Sequence, residues 1–287
     1  MTVYLTTPDS DQSIKSLLDE SVPALQASDS ARLDVELLLC NVLQIERSQI
    51  YSRYNFEIPS DKINAFRVLL DKRKEGYPVA YLTGHKEFWS LDLHVNQYTL
   101  IPRPETECLV EAVLMVVPEN AEYNIADLGT GSGAIALALA SERPACSITA
   151  IDCSKYALAV AKLNAERHNL NRINFKQGNW FSNIQNTFDM IVSNPPYIRS
   201  DDMLLHSSDV AHEPVLALDG GKDGLNPIRY IIARSVNYIN PGGWLIIEHG
   251  YNQGGYVREL FKQHGYVQVQ TLPDYAGLER ITLGKTG

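Results

Sequence analysis

The sequence is poor in cysteine: Cys40, Cys108, Cys146 and Cys153 are the only four in 287 residues. None lies in a Cys-x-x-Cys pair, which excludes the common zinc-ligand spacings and a dithiol redox motif. Their scatter fits a reducing compartment, so a cytoplasmic location and no metal are expected. Basic residues are also in the minority, 25 Lys and Arg against 34 Asp and Glu, for a net charge of −9. That balance argues against bulk, sequence-independent binding to nucleic acid, which needs cations to neutralise phosphates. No apolar run approaches the roughly 18 residues needed to span a bilayer. No basic segment followed by an apolar one opens the chain, so no signal peptide is expected. Internal repeats and low-complexity tracts are missing too. What remains is an ordinary globular composition, 45% hydrophobic and 21% charged, with material for one large or two ordinary domains.

Residues 11 to about 75 carry helical spacing. Leu33, Leu37, Leu38, Asn41 and Val42 form one stripe, and Ile63, Phe66, Leu69 and Leu70 form another after the start signal Pro59-Ser60-Asp61. A small helical bundle is expected over residues 1–84, serving either as packing or as a docking domain. Gly76-Tyr77-Pro78 ends the helical pattern, and residues 86–100 alternate enough to predict a β-hairpin within a linker at 85–107. In Ile101-Pro102-Arg103-Pro104-Glu105-Thr106-Glu107 two prolines stiffen a loop. Thr106 or Glu105 is placed to cap the next helix, and the loop is placed to close over a pocket as a lid.

From 108 to 287 predicted strands and helices alternate. Strands fall at 123–128, 147–151, 173–177, 188–193 and 244–248. Helices fall at 133–141, 155–169, 228–238 and 256–264, and a hairpin at 267–271 and 280–283 closes the chain. Alternation of this kind means a mostly parallel sheet covered on both faces.

Phe188-Asp189-Met190-Ile191-Val192-Ser193 reads as the central, buried strand, and Asn194-Pro195-Pro196-Tyr197 follows it. Each proline fixes φ near −65° and lacks an N–H, and the residue before each is pushed out of the helical region. A rigid, donor-poor corner results at the carboxyl end of a strand, where open α/β sheets bind ligands. The Asn194 side-chain carbonyl and the Pro195 backbone carbonyl are placed to accept from one planar NH2 group, with Tyr197 as a flat face beside it.

Asp127-Leu128-Gly129-Thr130-Gly131-Ser132-Gly133 lies between a strand and a helix, where glycines allow a tight turn and close approach to a ligand. Asp152 ends the next strand, placed to accept from ribose hydroxyls. The spacing also satisfies a dinucleotide fingerprint. Asp127 before the first glycine, the amine-accepting corner and the terminal hairpin favour S-adenosylmethionine over a nicotinamide. Trp180, in Gly178-Asn179-Trp180-Phe181, is expected against an adenine, and Cys153 on the pocket wall as an unreactive thiol. His212 and Glu213 are candidate proton acceptors for which a structural role is the simpler expectation.

Together these residues resemble the HemK/PrmC family, the glutamine-N5 methyltransferases of peptide chain release factors. The resemblance runs from about residue 31 to the end. Its most specific parts are Pro102-Arg103-Pro104-Glu105-Thr106-Glu107 and Asp219-Gly220-Gly221-Lys222-Asp223-Gly224-Leu225; Asn179 departs from the usual Asp. It implies an α/β, Rossmann-like class I methyltransferase domain with a C-terminal antiparallel hairpin, preceded by a small α-helical bundle and a β-hairpin linker. It implies methylation of the glutamine in the Gly-Gly-Gln loop of release factors 1 and 2, in the cytoplasm, by a monomer without membrane or nucleic-acid partners. The implied catalytic residues are Asn194, Pro195, Pro196 and Tyr197. The implied residues for S-adenosylmethionine are Asp127, Leu128, Gly129, Thr130, Gly131, Asp152, Trp180 and Asn194. The alternative from the corner alone is adenine-N6 methylation in nucleic acid.

Overall fold

The computed structural model describes residues 12–206 and 209–287; the part of the expected helical region at 1–11 lies outside them. The chain forms two compact units, one ending at Gly84 and one running from His85 to Gly287.

The first unit is helical: α1 (Ile14–Ser21), α2 (Ala31–Leu43), α3 (Arg47–Ser52), α4 (Ser60–Lys74) and α5 (Val79–Thr83). Its core gathers Ile14, Leu18, Val35, Leu38, Leu39, Ile50, Ile63 and Phe66. The face of α2 differs from the expected stripe, for Leu33 is exposed while Val35, Leu38, Leu39 and Val42 are buried. The reason is charge. Asp34 and Glu36 are buried on the same helix because cations reach them: Arg73 meets Asp34 at 2.8 Å, and Arg47 and Arg32 meet Glu36 at 2.7 and 3.0 Å. Apolar periodicity cannot register a helix whose buried side includes two carboxylates.

The second unit opens with the antiparallel hairpin β1 (His85–Phe88) and β2 (Leu91–His94). Pairing stops at His94, short of the expected residue 100. Asn96 turns the chain there, its side chain accepting from Tyr98 N at 3.0 Å and its carbonyl from Thr99 N at 3.0 Å. Then come α6 (Glu107–Val116), β3 (Asn124–Leu128), α7 (Ala134–Glu142), β4 (Ser147–Asp152), α8 (Lys155–Arg167), β5 (Asn174–Gln177), β6 (Phe188–Ser193), α9 (Asn226–Ser235), β7 (Ile239–Glu248), α10 (Gly254–Gln263), β8 (Val267–Pro273) and β9 (Glu279–Lys285). The sheet order is β5-β4-β3-β6-β7-β9-β8. Five strands are parallel, and β8 and β9 close the edge antiparallel.

β6 is the middle strand of seven. Met190 and Val192 enter the core on one face, Ile191 the core on the other, so the run is apolar without alternation. Asn164 of α8, fully buried, accepts from His94 N at 2.7 Å and donates to His94 O at 3.0 Å and Ser132 O at 2.9 Å. It thereby joins the hairpin to the loop that follows β3.

Breaking the Asp34–Arg73 pair tests the account of α2. Both side chains are nearly inaccessible, 6% and 7% exposed, and Asp34→Ala leaves a buried guanidinium without its anion. A loss of about 3–5 kcal/mol is expected, read by urea denaturation followed by circular dichroism. An unchanged midpoint would show that Arg73 is held well enough by its other contacts.

Candidate active site

The site is built where β3, β4 and β6 end. Register pairs Leu128 with Ser193, and the Ser193 hydroxyl donates to the Leu128 carbonyl at 2.7 Å. The glycine loop and the Asn194 corner therefore leave the sheet side by side. The loop is drawn toward β4, since Gly129 N and Thr130 N both donate to Ile151 O, at 2.8 and 3.0 Å. Gly129 has φ +78°, and a Cβ there would lie 3.4 Å from the Trp180 ring. That distance is ordinary contact, so it is the backbone conformation that favours glycine at this point.

Asp152 is 9% exposed. Its Oδ2 accepts from Gly131 N at 2.9 Å and its Oδ1 from Ser154 N at 2.8 Å. Burial raises its pKa, and these N–H groups oppose the rise. Each carboxylate oxygen keeps a second lone pair, so Asp152 can still accept from a ligand hydroxyl.

A cavity of about 530 Å³ opens over this floor, within the size range of small-molecule sites. Gly129, Gly131, Asp152, Trp180, Asn194 and Pro196 line it, with residues 97–100 along one side. A second cavity, of about 700 Å³, is lined by Asn194, Pro195 and Tyr197. Asn194 faces both. All four arginines on the second cavity are paired with carboxylates: Arg103 with Glu213, Arg199 with Asp201, Arg229 with Asp223 and Arg280 with Asp274.

Of the expected site residues, Asp127, Leu128 and Thr130 are not on either lining. Asp127 is wholly buried beneath the loop. Its Oδ2 accepts from the Thr130 hydroxyl at 2.6 Å, and its Oδ1 has no hydrogen-bond partner among the described residues. Burial pushes its pKa up to about 7; the Thr130 bond works against this and the charge of Asp152 adds to it. Cys153 lines the first cavity, and burial, then Asp152, raise its thiol, which keeps it protonated.

The loop at 101–107 is clamped by Glu213, which accepts from Ile101 N at 2.9 Å and pairs with Arg103. Glu213 is a buried strut. Thr106 stands at the N-cap of α6 but makes no side-chain cap bond. The turn Pro104–Thr106 already has helical backbone there, and the hydroxyl instead accepts from Asn194 Nδ2 at 3.0 Å.

Two partners of the corner, Glu248 and Gln253, have no place in the sequence analysis, and Gly224 appears there only within a motif. Glu248 accepts from the Tyr197 hydroxyl at 3.3 Å. Gln253 donates to the Tyr197 carbonyl at 3.1 Å. Gly224, at φ +75°, lies against that same carbonyl, where a Cβ would collide. The segment from Asp219 to Leu225 thus braces Tyr197 from behind, helped by a bridge from Asp219 to Ile198. Glu248 and Gln253 carry no periodic signal; only the fold brings them to the corner.

Comparison with known proteins identifies the family. The methyltransferase small domain model matches residues 106–213, and the PrmC N-terminal domain model matches 16–84. The release factor glutamine methyltransferase of Escherichia coli is 46% identical over 269 residues, covering 93% of this chain and 97% of that protein. The one from Aliivibrio fischeri is 43% identical over 277 residues, covering 95% and 97%. Among solved structures, a methyltransferase from Pyrococcus furiosus superposes with a TM-score of 0.54 at 19% identity, over 80% of this chain and 100% of that one. That last likeness concerns the fold alone.

The raised carboxyl of Asp127 has a measurable consequence in the ligand-free protein. Its folded pKa, about 7, lies above the ordinary 3.8. The stability it contributes is therefore present in full below pH 3.8 and is lost as pH rises through about 7. Asp127→Asn removes the titration, so stability should fall less between pH 5 and pH 8 than in the wild type. Urea midpoints at the two pH values check this, and equal slopes in the two proteins would contradict it.

Proposed function

The chain belongs to the release factor glutamine methyltransferases, and we propose that its two cavities divide the work, donor in the first and glutamine in the second. It is a methyltransferase that acts on release factor glutamine. The finer reading is transfer from S-adenosylmethionine to the N5 amide nitrogen of the Gly-Gly-Gln glutamine in release factors 1 and 2, in the cytoplasm. The observation that carries it is Asn194, a single amide in the wall common to both cavities.

The first cavity suits the donor. Asp152 offers acceptors for a ribose and Trp180 a flat wall for an adenine; Asp127, buried beneath the glycine loop and off the lining, is a carboxyl that a cationic ligand nearby would favour in its ionised form. When bound, S-adenosylmethionine supplies an electrophilic methyl group on sulfur.

The chain's own residues do the rest by orientation. An amide nitrogen is a weak nucleophile because its lone pair is delocalised. With the Asn194 NH2 group committed to Thr106, the planar amide turns Oδ1 away from Thr106 as an acceptor. Asn194 Oδ1 and the Pro195 carbonyl take the two substrate N–H hydrogens and fix the nitrogen. Alignment of this kind is worth up to about 7–11 kcal/mol of barrier. The same carbonyls stabilise positive charge growing on nitrogen, in the manner of preorganised dipoles generally. Tyr197, braced from behind, limits the plane of the incoming amide.

The second cavity also argues against adenine in nucleic acid. Its arginines are already paired, so phosphate contacts would require breaking ion pairs before any counterion release is gained. The helical unit before His85, lacking catalytic residues of its own, serves in this reading to hold the release factor.

Single-turnover transfer of labelled methyl to unmodified release factor, with DNA and ribosomal RNA as parallel acceptors, tests the assignment. Label on nucleic acid and none on glutamine would overturn it. Asn194→Ala should leave affinity for S-adenosylhomocysteine nearly unchanged and slow transfer by roughly 10²-fold or more. Wild-type rates in that variant would remove the corner from the reaction. Deleting residues 1–84 should spare cofactor affinity and lower kcat/KM on the whole release factor more than on a short glutamine peptide.

A further inference from the structure

One buried carboxyl beside the corner has no part in the reaction as derived so far. Glu248, the last residue of β7, is 0% exposed and lines neither cavity. Its Oε1 accepts from the Tyr197 hydroxyl, and its Oε2 has no hydrogen-bond partner among the described residues. A charge kept in such a place is costly, and an apolar side chain of similar size would pack there at less expense.

Its neighbours suggest the task. The Thr106 hydroxyl accepts from Asn194 Nδ2 at 3.0 Å; no hydrogen bond joins it to Glu248 in this structure, but its hydroxyl favours the ionised carboxylate. A hydroxyl has one proton to give. When Glu248 is ionised, that proton is drawn to it, and the Thr106 oxygen is left to accept. Asn194 must then face Thr106 with its NH2 group and present Oδ1 elsewhere. When Glu248 is protonated, it can donate to Thr106 instead. The Thr106 proton is then released towards Asn194 Oδ1, and the amide loses its fixed polarity.

We propose that Glu248 is a positioning residue: through Thr106 it sets which end of the Asn194 amide faces the substrate, and through its own oxygen it holds the Tyr197 ring. This deepens the reading above and rests on it.

Burial pushes the Glu248 carboxyl up to about 7, against hydrogen bonding from Thr106 and Tyr197. Arg280 favours its charge but is shared with Asp274 at 3.0 Å, and Glu105 opposes it. Burial keeps the Tyr197 phenol and the Cys108 thiol protonated. It also lowers the imidazole of the adjoining His249, whose Nε2 meets Thr282 Oγ1 at 2.8 Å. Arg103, whose charge acts on the Tyr197 phenol, is paired with Glu213. Within this cluster Glu248 is the group whose charge changes near neutrality. Asp127 titrates in the same range, but beneath the glycine loop.

Three variants of the full chain test the proposal. Thr106→Val keeps the shape and removes the hydroxyl; Thr106→Ser restores it; Glu248→Gln removes the titration. The wild-type single-turnover rate should rise as pH passes through about 7. Thr106→Val should be slower by roughly 10- to 100-fold, with cofactor affinity unchanged, as for misplacement of a reacting partner. It should also lose the rise, and Thr106→Ser should regain both. Glu248→Gln should flatten the rise; if that variant does not fold, the serine rescue decides. A valine variant with the wild-type rate, or a serine variant no better than valine, overturns the proposal. A second measurement needs no substrate. The side-chain NH2 resonances of Asn194 in 15N-labelled protein should shift with a midpoint near the same pH and stay still in Thr106→Val. Still resonances in the wild type overturn the relay even if methylation is normal. Moving resonances without transfer to release factor support the relay and remove the substrate assignment instead.

Discussion

The site depends on one short contact, the Ser193 hydroxyl on the Leu128 carbonyl at 2.7 Å. It makes β3 and β6 end together. At the end of β3 the chain must turn through glycines; at the end of β6 it must turn through prolines. The glycine turn spends its N–H groups on Ile151, Asp152 and its own Thr130 carbonyl and leaves its backbone open to close approach; the proline turn has few N–H groups and presents carbonyls. Setting them side by side places an open backbone floor beside an acceptor-rich corner, with Asn194 between the two cavities. A slip of one residue in the pairing would turn β6 over and move Asn194 away from the loop.

Three buried carboxyls surround this junction, and their surroundings separate them. Asp152 is answered by two backbone N–H groups. Asp127 keeps one oxygen without a hydrogen-bond partner among the described residues and shares its field with Asp152. Glu248 is approached by two hydroxyls and an arginine that already has a partner. Desolvation raises all three, most visibly where the compensating donors are fewest. Groups perturbed in this way cluster at functional sites.

Much of this was legible in the sequence, for a physical reason. A middle strand of a parallel sheet is apolar on both faces, so β6 stood out as a continuous run. Proline and glycine act locally, so Asn194-Pro195-Pro196 and Gly129 to Gly133 declared their backbone shapes without help from the fold. What stayed hidden depends on distant partners. Thr106 looked like a helix cap because capping is local; its hydroxyl is spent on a residue 88 positions away. Glu213 is expected in a structural role ahead of proton acceptance, and it has one, but nothing nearby in sequence shows that Ile101 and Arg103 are its partners. The α2 stripe was misread because its buried carboxylates look like a solvent face until Arg73 and Arg47 are in place.

If the corner governs the chemistry as proposed, the choice of acceptor has to come from elsewhere. Two carbonyls and an aromatic face would hold any planar NH2 group, whether of an adenine or of a glutamine. The second cavity distinguishes them by what its arginines are already doing. Paired with Glu213, Asp201, Asp223 and Asp274, they form a wall of near-balanced charge rather than a phosphate track. A glutamine side chain carried on a loop is neutral and asks for no counter-charge. A polynucleotide would ask for several at once, on a chain whose net charge is −9. Selectivity on this view comes partly from cations withheld, an arrangement that costs a protein substrate nothing and a nucleic acid a great deal.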